Sequence, residues 1–223
     1  MTLGLQKAIP FSLISLVLLF PGVLWGEDLV SKTNHVREQA SVIYKSQHKV
    51  ACYRELVEAA LLNPLVMGAL WASYGYKPSY RISGENSLGA DGSWPIHIED
   101  PTGIVGDIWQ IKAVKGHYTY LARGKLDHWA VPAFNEGTAV FDMEIISSGS
   151  TTQVKLDVFL MPESRFSEAV AWVLSPIIKA RVENRVTLNL QDVSSILEDI
   201  AEEPEEVAKR LKQPLRKEFE QDF

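Results

Sequence analysis

Between residues 105 and 160 apolar and polar side chains alternate with a period of two. In the segment 117–126, Tyr118, Tyr120, Ala122, Gly124 and Leu126 fall on one side. In 138–147, Ala139, Phe141, Met143 and Ile145 stand opposite Val140, Asp142 and Glu144. In 151–160, Val154, Leu156, Val158 and Leu160 stand opposite Gln153, Lys155 and Asp157. Together with 105–114, which carries Ile108, Trp109 and Ile111, these segments predict four strands with one wet face and one covered face. Two weaker strands precede them at 80–83 and 94–99, where Pro95 marks the second as an edge. The connections Lys115-Gly116 and Ser148-Gly149-Ser150 are short enough to join antiparallel neighbours, so the order along the chain predicts the order in the sheet. The longer connection 127–137, with His128, Trp129, Pro132 and Phe134, is expected to be a lid or a cap on the core. The loop 84–92, with three glycines, is expected to be mobile.

After residue 162 the period changes. Between Pro176 and Pro204 lie 27 residues without glycine or proline. Ile178, Val182, Val186, Asn189 or Leu190, Val193, Leu197 and Ile200 recur there every three or four positions, the spacing of an amphipathic helix. Ser164 is placed to cap a helix leading into it, with Trp172 and Val173 extending the stripe and Pro176 kinking it. Such a stripe needs cover, and the nearest apolar surface is the inner face of the sheet just completed.

On the N-terminal side, 29–50 has apolar residues at Val36, Ala40, Ile43 and Tyr44, a helical spacing on a mostly polar segment. Residues 50–62 are more strongly apolar. Asn63-Pro64 then predicts a short helix closed at Tyr74-Gly75. From Glu202 onward, charges at Glu205, Glu206, Lys209 and Arg210 predict a short solvated helix stopped by Pro214. The expected fold class is therefore α+β: a curved antiparallel sheet of about six strands gripping a long C-terminal helix, with N-terminal helices. Its expected division is a targeting segment at 1–26, a helical segment at 27–63, the helix-grip domain at 64–201 and a charged tail at 202–223.

Composition narrows the function classes. A hydrophobic share of 46% and a charged share of 22% are ordinary for a globular chain, and a formal charge of −6 argues against a nucleic-acid surface. Cys52 is the sole cysteine, so intramolecular disulfides are excluded, and its helical surroundings make it a buried small hydrophobe. At the N-terminus Lys7 precedes an apolar run, 8–25, interrupted by Ser12, Ser15 and Pro21-Gly22 and followed by Glu27-Asp28. That layout predicts export to a bacterial periplasm, with the segment either cleaved or kept as a membrane anchor.

Little in the chain announces a reaction. The histidines His35, His48, His97, His117 and His128 form no pair at two-, three- or four-residue spacing, so no metal site is expected. No phosphate loop, nucleophile elbow or Cys-x-x-Cys occurs, and Asp100-Pro101-Thr102-Gly103 reads as a turn; neither a cofactor nor a catalytic residue is expected. Arg123 alternates away from Tyr120 and Ala122, and a cross-strand ion pair with Asp107 or Asp142 is its default role. The candidates for bordering a cavity under the helix are Tyr118, Tyr120, Arg123, Trp129, Phe134, Phe141, Met143 and Val158 on the sheet side. Val182 and Arg185 are the candidates on the helix.

Helices, then antiparallel strands, then a long final helix resembles the START-like superfamily, also called the polyketide cyclase and dehydrase or helix-grip group. The likeness covers about residues 64–200 and rests on element order, the Gly124-Lys125-Leu126 strand end, the paired strands at 138–147 and 151–160, and the helix at 182–200. It implies binding of a lipid or other apolar small molecule under the helix, with cyclisation as the activity of a minority. The expectation is thus a non-enzymatic envelope protein that holds a hydrophobic ligand. Its rivals are a cyclase-type enzyme using Tyr118, Arg123 or His117, and a ligand-free interaction module docking through Trp94 and Trp129.

Overall fold

The computed structural model describes residues 24–77, 81–83, 96–100, 104–126, 136–163 and 165–223. Helix α1 (Leu24–Gln39) is followed by strand β1 (Val42–Val50), then by helices α2 (Arg54–Leu62) and α3 (Pro64–Tyr74). Strands β2 (Arg81–Ser83), β3 (Ile96–Asp100), β4 (Ile104–Val114), β5 (His117–Leu126), β6 (Glu136–Ser148) and β7 (Thr151–Pro162) come next. Helices α4 (Arg165–Glu202), α5 (Pro204–Lys209) and α6 (Leu215–Asp222) complete the chain. All pairings are antiparallel, and the seven strands lie in the order β1-β7-β6-β5-β4-β3-β2.

The alternation places the strands from β4 to β7 where the sequence puts them, in chain order. Two expectations at the margins are corrected. The helical reading of 29–50 holds only as far as Gln39; Val42–Val50 is an edge strand running against β7 from Val42↔Leu160 to Val50↔Thr152. β3 is no edge, because it pairs with β2 on one side and β4 on the other; Pro95 and Trp94 lie outside the described residues.

Curvature has a local cause. Gly106, Gly124 and Gly137 are cross-strand partners on β4, β5 and β6. A Cβ on Gly106 would meet the Arg123 carbonyl oxygen at 2.7 Å, and one on Gly124 the Val105 carbonyl oxygen at 2.6 Å. Without side chains the strands close up there and the sheet coils. A register shift between Gln110 and Lys112 adds a bulge to β4.

The concave face carries the helices. α2 and α3 meet in a V bent by 98° at Asn63, with Pro64 opening α3 and Gly75 closing it in the left-handed conformation. α4 continues through Pro176, which is exposed, and packs chiefly on β1, then on β7 and α3. Its Ile196, Leu197 and Ile200 are buried in one core with Val57, Val66, Leu70, Tyr118, Ile145 and Val154. Ser164 and the side chains of Trp172, Val173 and Ile178 lie outside the described residues.

The tail is not solvated, which corrects a third expectation. Val207, Ala208, Leu211 and Phe219 are buried in that same core, and α6 follows Pro214. The Tyr74 hydroxyl donates to Asp199 at 2.7 Å, and the Arg210 guanidinium sits 4.3 Å above the Tyr74 ring, tying α3 to α4 and α5. The charges of the tail take its outer side, as a polar stripe should, while its few apolar residues do the packing.

The convex face is only partly wet. α1 lies across it and buries Leu29 and Val36 against Leu121 and Val140, with Trp109, Ile111, Phe159 and Met161 around them. Arg37 then grips both carboxylate oxygens of Asp142, through Nε at 2.8 Å and Nη2 at 2.6 Å. Among the described residues, no single helix is long and apolar enough to cross a membrane; the bent pair α2–α3 is apolar because it closes the core.

Candidate functional site

A cavity of about 390 Å³ opens between the concave sheet, the α2–α3 V and α4. Phe141, Met143, Val154 and Leu156 form its floor, and Ile82, Ile96, Ile98 and Ile108 its far wall. α2 and α3 contribute Val57, Ala60, Leu61, Pro64, Met67 and Trp71, and α4 closes it with Val186, Asn189, Leu190, Val193 and Leu197. The void lies between two helix contacts with the sheet, because α4 leans towards β1 and β7 while α3 meets the sheet at β2. Gly68 lets β2 come close to α3, since a Cβ there would meet Ile82 Cδ1 at 2.7 Å.

Polar groups at this cavity are few. The Tyr120 hydroxyl donates to the Leu61 carbonyl oxygen at 3.2 Å and accepts from Gln110 Nε2 at 3.3 Å. Burial pushes this phenol up to about 12, so it is neutral throughout the physiological range. Asn189 is the second polar lining residue described. Beside the cavity, on the same face of β1, Ser46 Oγ and His48 Nε2 are buried without a hydrogen-bond partner among the described residues.

Of the side chains expected at a cavity, Tyr120, Phe141 and Met143 line it. Tyr118 and Val158 share the concave face but are packed into the core: Val158 lies against Tyr44 and Leu156, and Tyr118 lies close to Glu58 of α2. Arg185 is half-buried on α4 and is not a lining residue. Trp129, Phe134 and the Val182 side chain lie outside the described residues. Arg123 is the clear correction. It projects from the convex face, 54% exposed, and pairs with Glu163 through Nε at 2.7 Å and Nη2 at 3.1 Å. Strand parity requires this, because Arg123 neighbours the inward-facing Ala122. Its expected partners are also taken, Asp107 by His97 Nδ1 at 2.9 Å and Asp142 by Arg37.

His117 is exposed at the turn end of β5. Tyr118, Arg123 and His117 therefore do not converge on the void. Elsewhere several buried polar groups have structural partners, while Ser41 Oγ, Thr138 Oγ1 and Glu218 Oε2 have none among the described residues. Glu58 accepts from Arg54 at 2.8 Å and from the Gly116 amide at 2.8 Å, pinning α2 to the β4–β5 turn. Gly116 has φ 84°, the left-handed geometry a two-residue turn needs. Burial first, and then the Glu198 charge, push the Cys52 thiol up to about 11, so it stays protonated and unreactive.

The walls supplied by α2, α3, β2 and β3 were not foreseen as cavity residues. The apolar run at 50–62 and the alternating Ile96 and Ile98 were the available signals.

No protein-family model and no curated protein matches the chain. Solved structures do. A conserved protein from Geobacillus kaustophilus superposes with a TM-score of 0.51 at 10% identity, over 70% of this chain and 95% of the other. The Zhui aromatase/cyclase from Streptomyces sp. R1128 gives 0.49 at 13% identity, over 71% and 94%. Norcoclaurine synthase from Thalictrum flavum gives 0.47 at 11% identity, over 70% and 86%. Identities this low speak to architecture and not to ligand or reaction. Seven antiparallel strands curved around a long C-terminal helix, with a helical V at the open side, give this chain a helix-grip fold.

Proposed function

We propose that the protein binds a hydrophobic small molecule or lipid chain in the cavity under α4, outside the cytoplasm, either released or held at a membrane by its N-terminal segment. One observation carries the binding half of this reading: a void of about 390 Å³ with walls that are almost wholly apolar. Sites for small molecules span roughly 300–1,000 Å³ and combine apolar walls with a few fixed polar groups, which is the composition found here. An empty space of that size forfeits packing contacts that a close-packed core would make. A bound apolar ligand restores them. The export half is supported by the layout of residues 1–28.

Binding is favoured over turnover because the side chains proposed for a cyclase stand apart on three different sites. The test is native mass spectrometry of the full chain purified gently from cell envelopes, beside the variant Met143→Trp, which fills the cavity from its floor. The wild type is expected to carry an apolar adduct and the variant to lack it. A wild-type chain that never carries or takes up an apolar molecule overturns the binding reading, and recovery from the cytosolic fraction alone overturns the location.

A further inference from the structure

The chemistry of the cavity wall also bears on which end of an amphiphile can enter, an inference that rests on the binding reading above. We propose that the cavity selects neutral ligands, hydrocarbons and alcohols, and rejects anionic amphiphiles such as fatty-acid carboxylates.

The argument begins with what a buried carboxylate needs. Taken out of water it must find a cation or several N–H or O–H donors, since otherwise the desolvation cost exceeds anything its chain gains. Among the described lining residues there is no lysine, arginine or histidine, and the remaining side-chain N–H donors, the Asn189 amide and the Trp71 indole, are uncharged and already engaged in other interactions. Tyr120 has already spent its single proton on the Leu61 carbonyl oxygen. What the phenol oxygen still offers is acceptor capacity, because one lone pair takes the Gln110 amide and the second is uncommitted by any described partner. An acceptor suits a ligand that brings its own hydrogen, an alcohol, and repels one that brings only lone pairs. Leu61 is itself a lining residue, so this oxygen sits at the α2 end of the void, where a head group entering from that end would meet it.

Among the described residues, two further groups stand near enough to bear on the selectivity. Arg185 stands one residue from the lining Val186, and His48 stands two residues from the lining Val50 on the same face of β1, its Nε2 buried; neither lines the void. Being outside the wall, neither supplies a partner for a charged head within the void.

The experiment is displacement of the neutral fluorophore N-phenylnaphthylamine from the full chain at pH 8 by decane, decanol and decanoate, three ligands sharing one chain length. Decanol is expected to compete at least about tenfold better than decanoate, the size of effect an unpaired buried charge imposes. Tyr120→Phe is expected to weaken decanol about threefold to tenfold and leave decane unchanged, the loss of one hydrogen bond. Decane is the control for a variant that has merely loosened the fold. Decanoate matching decanol overturns the selectivity while leaving the binding reading intact. Failure of all three to displace the probe, or of the probe to bind, overturns both. Tyr120→Phe weakening decane and decanol equally overturns the assignment of the alcohol to Tyr120.

Discussion

The two faces of one sheet are built on opposite terms. On the concave face the side chains of β4 to β7 are mostly apolar, meet helices from both ends of the chain, and still leave a void. On the convex face a single helix, α1, covers a small apolar patch, and beyond its reach the strands carry ion pairs: Lys45–Asp157 at 2.6 Å, Lys155–Glu144 at 2.9 Å and Arg123–Glu163 at 2.7 Å. The difference teaches where stability and function part company. Pairs in water contribute little and can be spread freely. Apolar burial contributes much, and a fold that leaves part of its best surface unfilled has given up stability at that place for space.

The contrast breaks most visibly at α4. Leu197 is fully buried and lines the cavity, so Leu197→Ala enlarges an existing void and is expected to lower unfolding free energy by about 3 kcal/mol in urea denaturation. A loss below about 1 kcal/mol would mean that the helix is not the element holding the concave side.

On the convex side the corresponding lever is Arg37. Its fork to Asp142 is one-third exposed, and Arg37→Ala is expected to cost about 1 kcal/mol, with faster proteolysis inside α1 than elsewhere. Burial alone would raise the Asp142 carboxyl; hydrogen bonds from Arg37 and Thr119, together with the Arg37 charge, outweigh it and hold the group below its ordinary value. A lowered folded value means stabilisation that is present above the ordinary carboxylate range and lost as pH falls through the lowered value. Acidification towards pH 3 is thus expected to expose α1 to protease in the wild type and to change Arg37→Ala less. Equal acid sensitivity in both would show that Asp142 is not the responsible group.

The smallest effect is reserved for the exposed pairs. Lys45→Ala is expected to move stability by no more than about 0.5 kcal/mol, because its ammonium is two-thirds exposed and screened by salt. A melting-temperature shift as large as that of Leu197→Ala would erase the distinction between the faces.

Much of this architecture was legible in the alternation alone. β5, β6 and β7 present clean two-residue periods, and short glycine turns at Gly116 and Gly149 fix the pairing of β4 with β5 and of β6 with β7. β1 was hidden for a physical reason. Its inward positions run Val42, Tyr44, Ser46, His48, Val50, so polar residues break the stripe in the middle, and its partners in β7 are far along the chain. Arg123 was misassigned against its own parity, which already set it on the face opposite Tyr120. The apolar convex patch was also visible in principle, since Leu121, Val140 and Phe159 occupy positions where a wet face wants polarity. The void itself leaves no trace in a sequence, because it depends on which way α4 leans.

The core joins β1 near one end of the described chain to Phe219 near the other. No early segment can finish that core by itself, since β1 waits for β7 and the α2–α3 V waits for α6. Contacts so distant in sequence make folding slow and keep apolar strands uncovered while it proceeds.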